Sequence, residues 1–230
     1  MTVVFIHQPD FAPWLGFFDR LKRCETFIVL DNVQFLRRGW HHRDRIRTAD
    51  GERWLTVPVR KRGRQEQPIN QVEIDESTDW RRQHLETLRH AYGRAACFQP
   101  HFSAISEIYG RRHARLIELN SDLIDYLARR FDAVADTRLA SELCVDGHGT
   151  GMLVELVRAV GGSTYLTGQG ARAYLDESRF AAAGIEVEWQ RFAHPVYPQV
   201  HGERFVRGLS SLDCLFNSGS AGAGLLETAA

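Results

Sequence analysis

The sequence predicts an α/β fold: an open, mostly parallel, Rossmann-like sheet with helices on both faces and an inserted helical and hairpin region. Two short apolar runs, 3–6 and 27–30, consist of β-branched, aromatic and aliphatic residues, as buried parallel strands do. Between them, apolar residues recur at helical spacing. A second alternation of helix and strand, over 150–192, is typical of a doubly wound sheet with right-handed crossovers.

The elements of the first third follow from local patterns. A helix is predicted over 14–24 because its apolar residues recur at three- and four-residue spacing. The apolar run 53–59 predicts a strand, and 71–74 predicts a second, shorter one. Gly63 lies in the polar segment between these two strands, which favours a long hairpin or an excursion of the chain.

Three helices are predicted in the middle of the chain. Asp79 supplies an N-cap and Gly93 a stop for the first helix, and Pro100 precedes the second. The third carries a broad apolar stripe, which we interpret as core contact rather than as a face for a partner. The three helices span 80–92, 102–109 and 112–131.

The last third returns to alternating helices and strands. The predicted elements are helix 150–160, strand 163–166, helix 177–183 and strand 185–192. The tail after Asn217 is rich in small residues, which predicts disorder over 218–230. We therefore expect a single α/β domain over 1–217, with about 60–135 as its hairpin and helical insertion.

Composition excludes several classes of protein. Lys and Arg together number 29, and so do Asp and Glu, so no global field recruits nucleic acid or an anionic membrane surface. No apolar run approaches the length of a membrane span, and no signal peptide is recognised. The four cysteines lie far apart in the chain, without a C-x-x-C pair. These features predict reduced thiols and a cytoplasmic protein.

Polar residues follow each of the first two predicted strands. Open α/β sheets bind ligands in the crevice at the carboxyl ends of their strands, so this doubled arrangement predicts a site. His7 and Asp31 directly follow their strands and are the candidate catalytic residues, since a histidine near a carboxylate suits acid–base work. A histidine that bonds a loop carbonyl is the structural alternative for His7. The candidate substrate-binding residues beside them are Gln8, Asp10, Trp14 and Gln34.

A basic and aromatic segment comes next. Between Arg37 and Arg64, ten Arg or Lys residues stand against three acidic ones. A solvated hairpin explains the charges around 60–64. For the arginines that alternate beside tryptophan, anion binding is an equal alternative to solvation. The candidate substrate-binding residues here are Arg38, Trp40, Arg43 and Arg45.

Two further candidate regions lie near the end of the chain. The strand ending at Thr167 runs into Gly168, and such a turn allows a ligand close to the backbone, although an ordinary strand-to-helix turn has the same pattern. The segment 192–199 carries two prolines and presents polar groups rigidly, although an edge strand with a prolyl turn would too. Its candidate substrate-binding residues are His194, Tyr197 and Gln199.

Familiar catalytic signatures are missing from the sequence. It has no G-x-S-x-G, H-E-x-x-H, Walker A or G-x-G-x-x-G motif, and we assign neither a metal site nor a cofactor. Cys144, in a loop-like stretch, is the one plausible cysteine nucleophile, with no sign of an activating partner beyond His148. We therefore place acid–base chemistry at His7 before covalent chemistry at Cys144.

Segments from His7 to Asn217 resemble, in the same order, those of the WbqC-like family. The segments are His7-Gln8-Pro9, Pro13-Trp14-Leu15-Gly16, Leu30-Asp31-Asn32-Val33-Gln34-Phe35, Arg43-Asp44-Arg45-Ile46, 54–59, Tyr165-Leu166-Thr167-Gly168, His194-Pro195 and Leu209-Ser210-Ser211-Leu212-Asp213. The chain departs from the family pattern Trp-x-Asn-Arg-Asn-Arg in the run 40–45, where His42 and Asp44 replace the two amide residues, which implies a different substrate or different contacts.

The resemblance implies a biosynthetic enzyme of surface-polysaccharide or natural-product pathways. For some members an acyl or aminoacyl transfer has been proposed, of the type that joins glycine to a sugar acid through an amide. The partners would be a small-molecule acyl donor, an amine or sugar acceptor and, in some reactions, a carrier protein. In this chain His7 would act as general base, Arg43 or Arg45 would hold a carboxylate or phosphate, and the Gly168 turn would supply backbone donors.

Two other classes of function stay open. One is a nucleotide-using, adenylyl-transfer-like enzyme, because strand, histidine turn and helix also resemble the start of HUP-type domains. Their two-histidine signature is absent, since Phe17 follows Gly16. The other is a non-catalytic binder of a sugar nucleotide or of an acyl carrier protein, with the basic segment 60–64 as its docking patch.

Overall fold

The computed structural model describes residues 2–64, 66–202 and 204–227. Its strands are β1 (Val3–His7), β2 (Thr26–Val29), β3 (Arg43–Thr48), β4 (Gly51–Thr56), β5 (Asp136–Leu139), β6 (Thr164–Thr167) and β7 (Glu186–Trp189). Its α-helices are α1 (Leu15–Lys22), α2 (Trp80–Tyr92), α3 (Phe98–Gly110), α4 (Leu116–Arg130), α5 (Gly149–Ala159), α6 (Glu177–Ala182), α7 (Ser211–Ser218) and α8 (Ala221–Glu227). Across these described ranges, no helix has the length and apolarity needed to cross a bilayer.

Five strands form the main sheet, in the order β5-β2-β1-β6-β7. Every neighbouring pair in this sheet is parallel. The chain therefore builds the sheet outward from β1, first to one side and then to the other, and the order reverses between β1 and β6. This confirms the predicted α/β fold with an open parallel sheet, and it places a topological switch point beside the last residue of β1.

Alternating residues of β1 point into two separate cores. Phe5 packs in the larger core, which also contains the apolar residues of α1, α3, α4 and α7. Val4 and Ile6 pack in the smaller core, with residues of α5 and α6. Helices therefore cover both faces of the sheet, as predicted. The side-chain period of two also places His7 on the same face as Phe5, and their ring centroids are 5.6 Å apart.

The strand register aligns two of the predicted site residues. Phe5 lies opposite Leu166 in the β1–β6 pair. Two residues further along each strand, His7 and Gly168 reach the carboxyl edge of the sheet at the same level. The strand order reverses between β1 and β6, so the chain leaves these two strands toward opposite faces of the sheet. A crevice therefore opens between His7 and Gly168.

The insertion lies between β2 and β5, and its hairpin differs from the predicted one. The strand predicted over 53–59 pairs as β4 with β3, directly before it, in an antiparallel register. The segment predicted as a strand over 71–74 makes only two isolated bridges, Ile74 with Val59 and Glu73 with Arg115. Strand β3 was not predicted because most of its residues are charged. Its inward side chains are Ile46 and the buried Asp44.

Two other boundaries differ from the sequence analysis. Strand β5 was not predicted, because it is short and mostly exposed; charged residues are common on such edge strands, where they discourage pairing with other chains. Helix α3 begins at Phe98 rather than at 102, with Pro100 in its first turn. Proline is tolerated there because the first amides of a helix have no intrahelical acceptor.

The end of the described chain is helical, where the sequence predicted disorder. Helix α8 packs against α7 and α1, and Leu226 is 2% exposed. Gly222 allows this contact, since a Cβ there would lie 2.8 Å from the ring of Phe131 and 3.2 Å from Cys214 Sγ. Small residues that suggested a flexible tail therefore permit close helix packing. The last three residues of the predicted segment, 228–230, lie outside the described residues.

Candidate functional site

Two cavities meet at the carboxyl edge of the sheet, and both are lined by His7 and Trp14. The first, here called the hairpin cavity, has a volume of about 290 Å³. The second, here called the sheet-edge cavity, has a volume of about 450 Å³ and lies at the switch point. The hairpin cavity is further lined by Asp10, Trp40, Asp44, Arg45 and Gly208. Residues lining the sheet-edge cavity include Arg20, Tyr165, Thr167, Gly168, Tyr174 and Gln190.

The position of His7 is fixed by its surroundings. Its ring meets the ring of Phe17 edge-on, at a centroid distance of 5.4 Å. Nδ1 lies 2.8 Å from the carbonyl oxygen of Gln8, which can only accept, so Nδ1 carries the proton and donates. Nε2 then holds the lone pair. The side chain keeps 28% of its surface exposed, so this basic nitrogen belongs to a histidine that solutes can reach.

Asp10 links two histidines at this site. One of its oxygens lies 3.7 Å from His7 Nδ1, and the other accepts a hydrogen bond from His41 Nδ1 at 3.1 Å. The Asn120 side chain donates to the backbone carbonyls of Pro9 and His41, at 2.7 Å each, and so ties the two loops together. Burial lowers the pKa of His7 and the Asp10 carboxylate opposes that shift. The imidazole is therefore mostly neutral at pH 7 and able to accept a proton.

Asp44 and Arg45 of β3 form one wall of the hairpin cavity. Asp44 is buried, and burial raises its pKa well above the ordinary value. Arg45 bonds Glu52 at 2.6 Å and the carbonyl of Gly208 at 3.2 Å, which fixes its guanidinium at the wall. This wall thus combines a carboxyl group inclined to keep its proton with a fixed cation, a suitable pair for holding a polar substrate.

An aromatic and arginine rim surrounds the entrance on the hairpin side. Trp40 and Trp54 are half-exposed, with ring centroids 5.3 Å apart. The guanidinium of Arg43 lies 4.5 Å above the Trp54 ring, and that of Arg45 lies 5.6 Å from the Trp40 ring. These rings and stacked cations present a flat, amphipathic surface next to the cavity.

The sheet-edge cavity contains a residue that the sequence analysis missed. Arg20 of α1 is 6% exposed, and its guanidinium lies 4.6 Å above the Phe5 ring. Burial lowers its pKa to about 10. Gln190 closes the floor by donating to Asp19 and to the carbonyl of Gly16. Its position is the signal that could have identified Arg20 from the sequence, because it stands three residues after Phe17, beside the apolar stripe of α1.

Not all the candidate residues come together. Asp31 is 1% exposed and lies away from both cavities. It accepts hydrogen bonds from the backbone and hydroxyl of Ser141, at 2.9 and 2.7 Å, and from the Asn70 side chain at 3.1 Å. The carboxylate therefore joins the ends of β2 and β5 to the insertion. Its partners are polar donors of the fold, which gives Asp31 a structural role.

Other candidates lie at the periphery. Gln34 is exposed and forms an isolated bridge with Pro68. The exposed Arg38 accepts a hydrogen bond from Arg43 through its carbonyl oxygen, at 2.9 Å. His194 stacks on Trp14 at a centroid distance of 6.3 Å and so supports a ring that lines both cavities.

Tyr197 and Gln199 belong to a network around the buried Asp213. Tyr197 donates to its carboxylate at 2.9 Å and Gln199 at 2.8 Å, and Tyr92 donates at 2.8 Å from α2. Burial raises the pKa of Asp213, and these three hydrogen bonds act in the opposite direction. The network fastens the segment after β7 onto α7, so these two polar residues hold a loop in place.

The cysteines differ sharply in exposure. Cys24 and Cys214 are buried, and burial raises the pKa of each thiol to about 12, which makes them unreactive. Cys144 is exposed and lies in a loop, and its φ is 51°. Its sulfur lies 3.8 Å from the carbonyl of Glu142. Within the described ranges, no three histidine, cysteine, aspartate or glutamate side chains are grouped as a metal site.

The fold and site together define a doubly wound α/β protein with a two-cavity site at its switch point. The model of the WbqC-like protein family matches residues 8–223, and the chain belongs to this family. A protein of Mycobacterium tuberculosis named "Uncharacterized protein Rv1507c" is 35% identical over 225 residues, which covers 96% of this chain and 95% of that protein. No solved structure shows a significant match.

Proposed function

We propose that this protein is an acyl or aminoacyl transferase that forms an amide, with His7 as its general base. The observation that carries the proposal is the position of His7 where two cavities meet. Group transfer needs two substrates held on either side of one proton-accepting group. Membership of the WbqC-like family is consistent with this assignment.

The chemistry assigns one substrate to each cavity. The amine of the acceptor attacks the carbonyl carbon of an activated acyl donor, which forms the C–N bond and a tetrahedral intermediate. His7 Nε2 accepts the proton that the nitrogen loses. The intermediate collapses, the bond to the leaving group breaks, and the same proton passes from Nε2 to that group.

The wall of the hairpin cavity suits the acyl donor. Arg45 is fixed by Glu52 and by the carbonyl of Gly208, so its remaining N–H groups can donate to a polar part of the donor without reorganising. The raised pKa of Asp44 favours a protonated carboxyl group, which can donate a hydrogen bond to a developing oxyanion. The sheet-edge cavity then holds the acceptor.

Turnover of two variants tests the assignment to His7. We expect His7→Ala to lose on the order of a hundredfold or more in kcat while remaining folded, because a positioned base typically contributes that factor. Cys144→Ala is the control, since this exposed cysteine lines neither cavity. Mass spectrometry of the protein mixed with an acyl thioester completes the test. A covalent adduct on Cys144, or a fully active His7→Ala, would contradict the proposal.

A nucleotide-using enzyme is the second candidate. The observation in its favour is the topology, because open α/β sheets commonly bind nucleotides at the switch point where the sheet-edge cavity lies. The carrier-protein alternative relied on the basic segment 60–64, of which Arg60 and Arg64 form ion pairs with Glu73 at 3.0 and 2.7 Å. These pairs reduce the positive charge available there for an acidic partner.

A further inference from the structure

Arg20 is a buried cation that faces the sheet-edge cavity without an ion pair. Its Nε donates to the carbonyl of Gly16, one helical turn earlier, at 3.3 Å. No carboxylate of the described residues forms an ion pair with its guanidinium within 4 Å. A buried guanidinium that lacks a counterion is costly, so its presence in a cavity indicates that an anion completes the site.

The two carboxylates that attract Arg20, those of Asp19 and Asp10, are engaged with other groups. Asp19 accepts a hydrogen bond from Gln190 at 2.5 Å and lies 3.6 Å from a nitrogen of Arg23. Asp10 bonds a histidine on the other side of the site. Both act on Arg20 only through longer-range attraction. Its charge therefore remains available to a molecule in the cavity.

The turn that contains Gly168 leaves the guanidinium of Arg20 uncovered. Gly168 lines the same cavity, and a Cβ placed on it would lie 2.9 Å from Arg20 Nη1. Its φ of −86° and ψ of 157° are open to any residue, so glycine is not needed for the backbone conformation. What glycine provides here is space directly beside the guanidinium.

We propose that the sheet-edge cavity binds a small organic carboxylate, held by the guanidinium of Arg20 beside Gly168. The planar fork of arginine matches a carboxylate with two parallel hydrogen bonds. A phosphate dianion is disfavoured, because one arginine stands near the two acids Asp10 and Asp19. Because His7 lines this cavity, the carboxylate belongs to the amine-bearing acceptor of the transfer reaction. This last assignment rests on the proposed function.

Equilibrium binding to the whole protein tests the proposal without an assay of turnover. Acetate, glycine and inorganic phosphate are titrated separately and followed by calorimetry. We expect acetate and glycine to bind more tightly than phosphate. Gly168→Ala should weaken carboxylate binding at least tenfold, because its methyl group displaces the fork. Gly110→Ala, at the end of α3 and in the lining of neither cavity, is the control and should bind normally, since a Cβ there meets nothing within 4 Å.

Arg20→Lys provides a second readout, with circular dichroism to verify folding. Lysine keeps the charge but not the fork, so we expect at least a tenfold loss in carboxylate affinity. The inference is overturned if the unmodified protein binds no carboxylate, if Gly168→Ala and Gly110→Ala bind with equal affinity, or if phosphate binds more tightly than the carboxylates. If acyl transfer is measured while Gly168→Ala binds normally, only the carboxylate site is wrong. If binding behaves as expected but His7→Ala transfers normally, only the function is wrong.

Discussion

Single side chains at this site are tuned by both neighbours and burial. His7 illustrates the balance: burial lowers its pKa, and the carboxylate of Asp10, 3.7 Å from Nδ1, opposes the shift. The nearby Arg20 acts in the same direction as burial. The result is an imidazole that stays neutral and basic at pH 7, which is the state that a general base requires.

The pH profile of an Asp10 variant tests this balance. In the unmodified protein, activity should fall on the acid side as His7 takes up a proton. In Asp10→Asn the opposing carboxylate is absent, so the pKa of His7 drops further and the acid limb of kcat/KM should move to lower pH. The measurement is kcat/KM from pH 4.5 to 8.

The maximal rate of Asp10→Asn should also decline, since a less basic nitrogen accepts a proton less readily. Asp50→Asn, an exposed aspartate in the hairpin turn, is the matched control and should leave the profile in place. An acid limb that does not move in Asp10→Asn would assign the limb to a group other than His7.

At the scale of elements, a buried histidine holds the insertion to the rest of the domain. His84 of α2 donates from Nε2 to the carbonyl of Thr56 at the end of β4, at 3.1 Å. Its Nδ1 accepts from the hydroxyl of Tyr109 in α3, at 3.2 Å. Three elements therefore meet at one neutral ring, and burial lowers its pKa to about 4.

This arrangement predicts a loss of stability in acid. Between pH 6.5 and 4 the unfolded chain protonates His84 and the folded chain does not, so the free energy of unfolding falls as pH falls. A depression from 6.5 to about 4 corresponds to about 3 kcal/mol. Urea denaturation at pH 7 and pH 4.5 should show a smaller loss for His84→Gln than for the unmodified protein.

His90→Gln is the control for this experiment, because His90 is exposed on the same helix. Its loss of stability between the two pH values should match that of the unmodified protein. If His84→Gln shows the same loss as well, then the acid sensitivity of this protein arises at other buried histidines, such as His42, whose pKa burial also lowers to about 4.

At the scale of the whole molecule, the main sheet and the insertion contribute different walls to one site. The sheet supplies His7 and the Gly168 turn, and the insertion supplies Trp40, Asp44 and Arg45. A ligand that fills both cavities therefore bridges the two parts of the fold. Such a ligand stabilises the folded protein against unfolding.

Thermal unfolding with different ligands separates the two candidate functions. At a hundredfold excess over its dissociation constant, a ligand adds roughly 2.7 kcal/mol, and each kcal/mol raises the Tm of a chain of this size by roughly 2–4 °C. For the transferase we expect this rise with an acyl thioester. A rise with ATP or a sugar nucleotide, and none with the thioester, would favour the nucleotide-using alternative.

Local patterns in the sequence predict the parallel sheet, its flanking helices and the position of His7 at the end of a strand. These features depend on local signals: short apolar runs, helical periodicity and a polar residue at a strand end. Strand β3 escaped prediction because its buried Asp44 interrupts the apolar alternation that marks a strand. Periodicity reports only apolar burial, so buried charged residues remain hidden.

Which polar residues lie in contact depends on the tertiary structure. Asp31 follows its strand as His7 does, yet Ser141, 110 residues away, takes up its carboxylate. Arg20 had the pattern of an ordinary helix residue, yet β6 brings Gly168 over its guanidinium. A polar side chain is buried where segments distant in the chain supply its hydrogen-bond partners. The residues adjacent to it in the sequence do not indicate which partners these are.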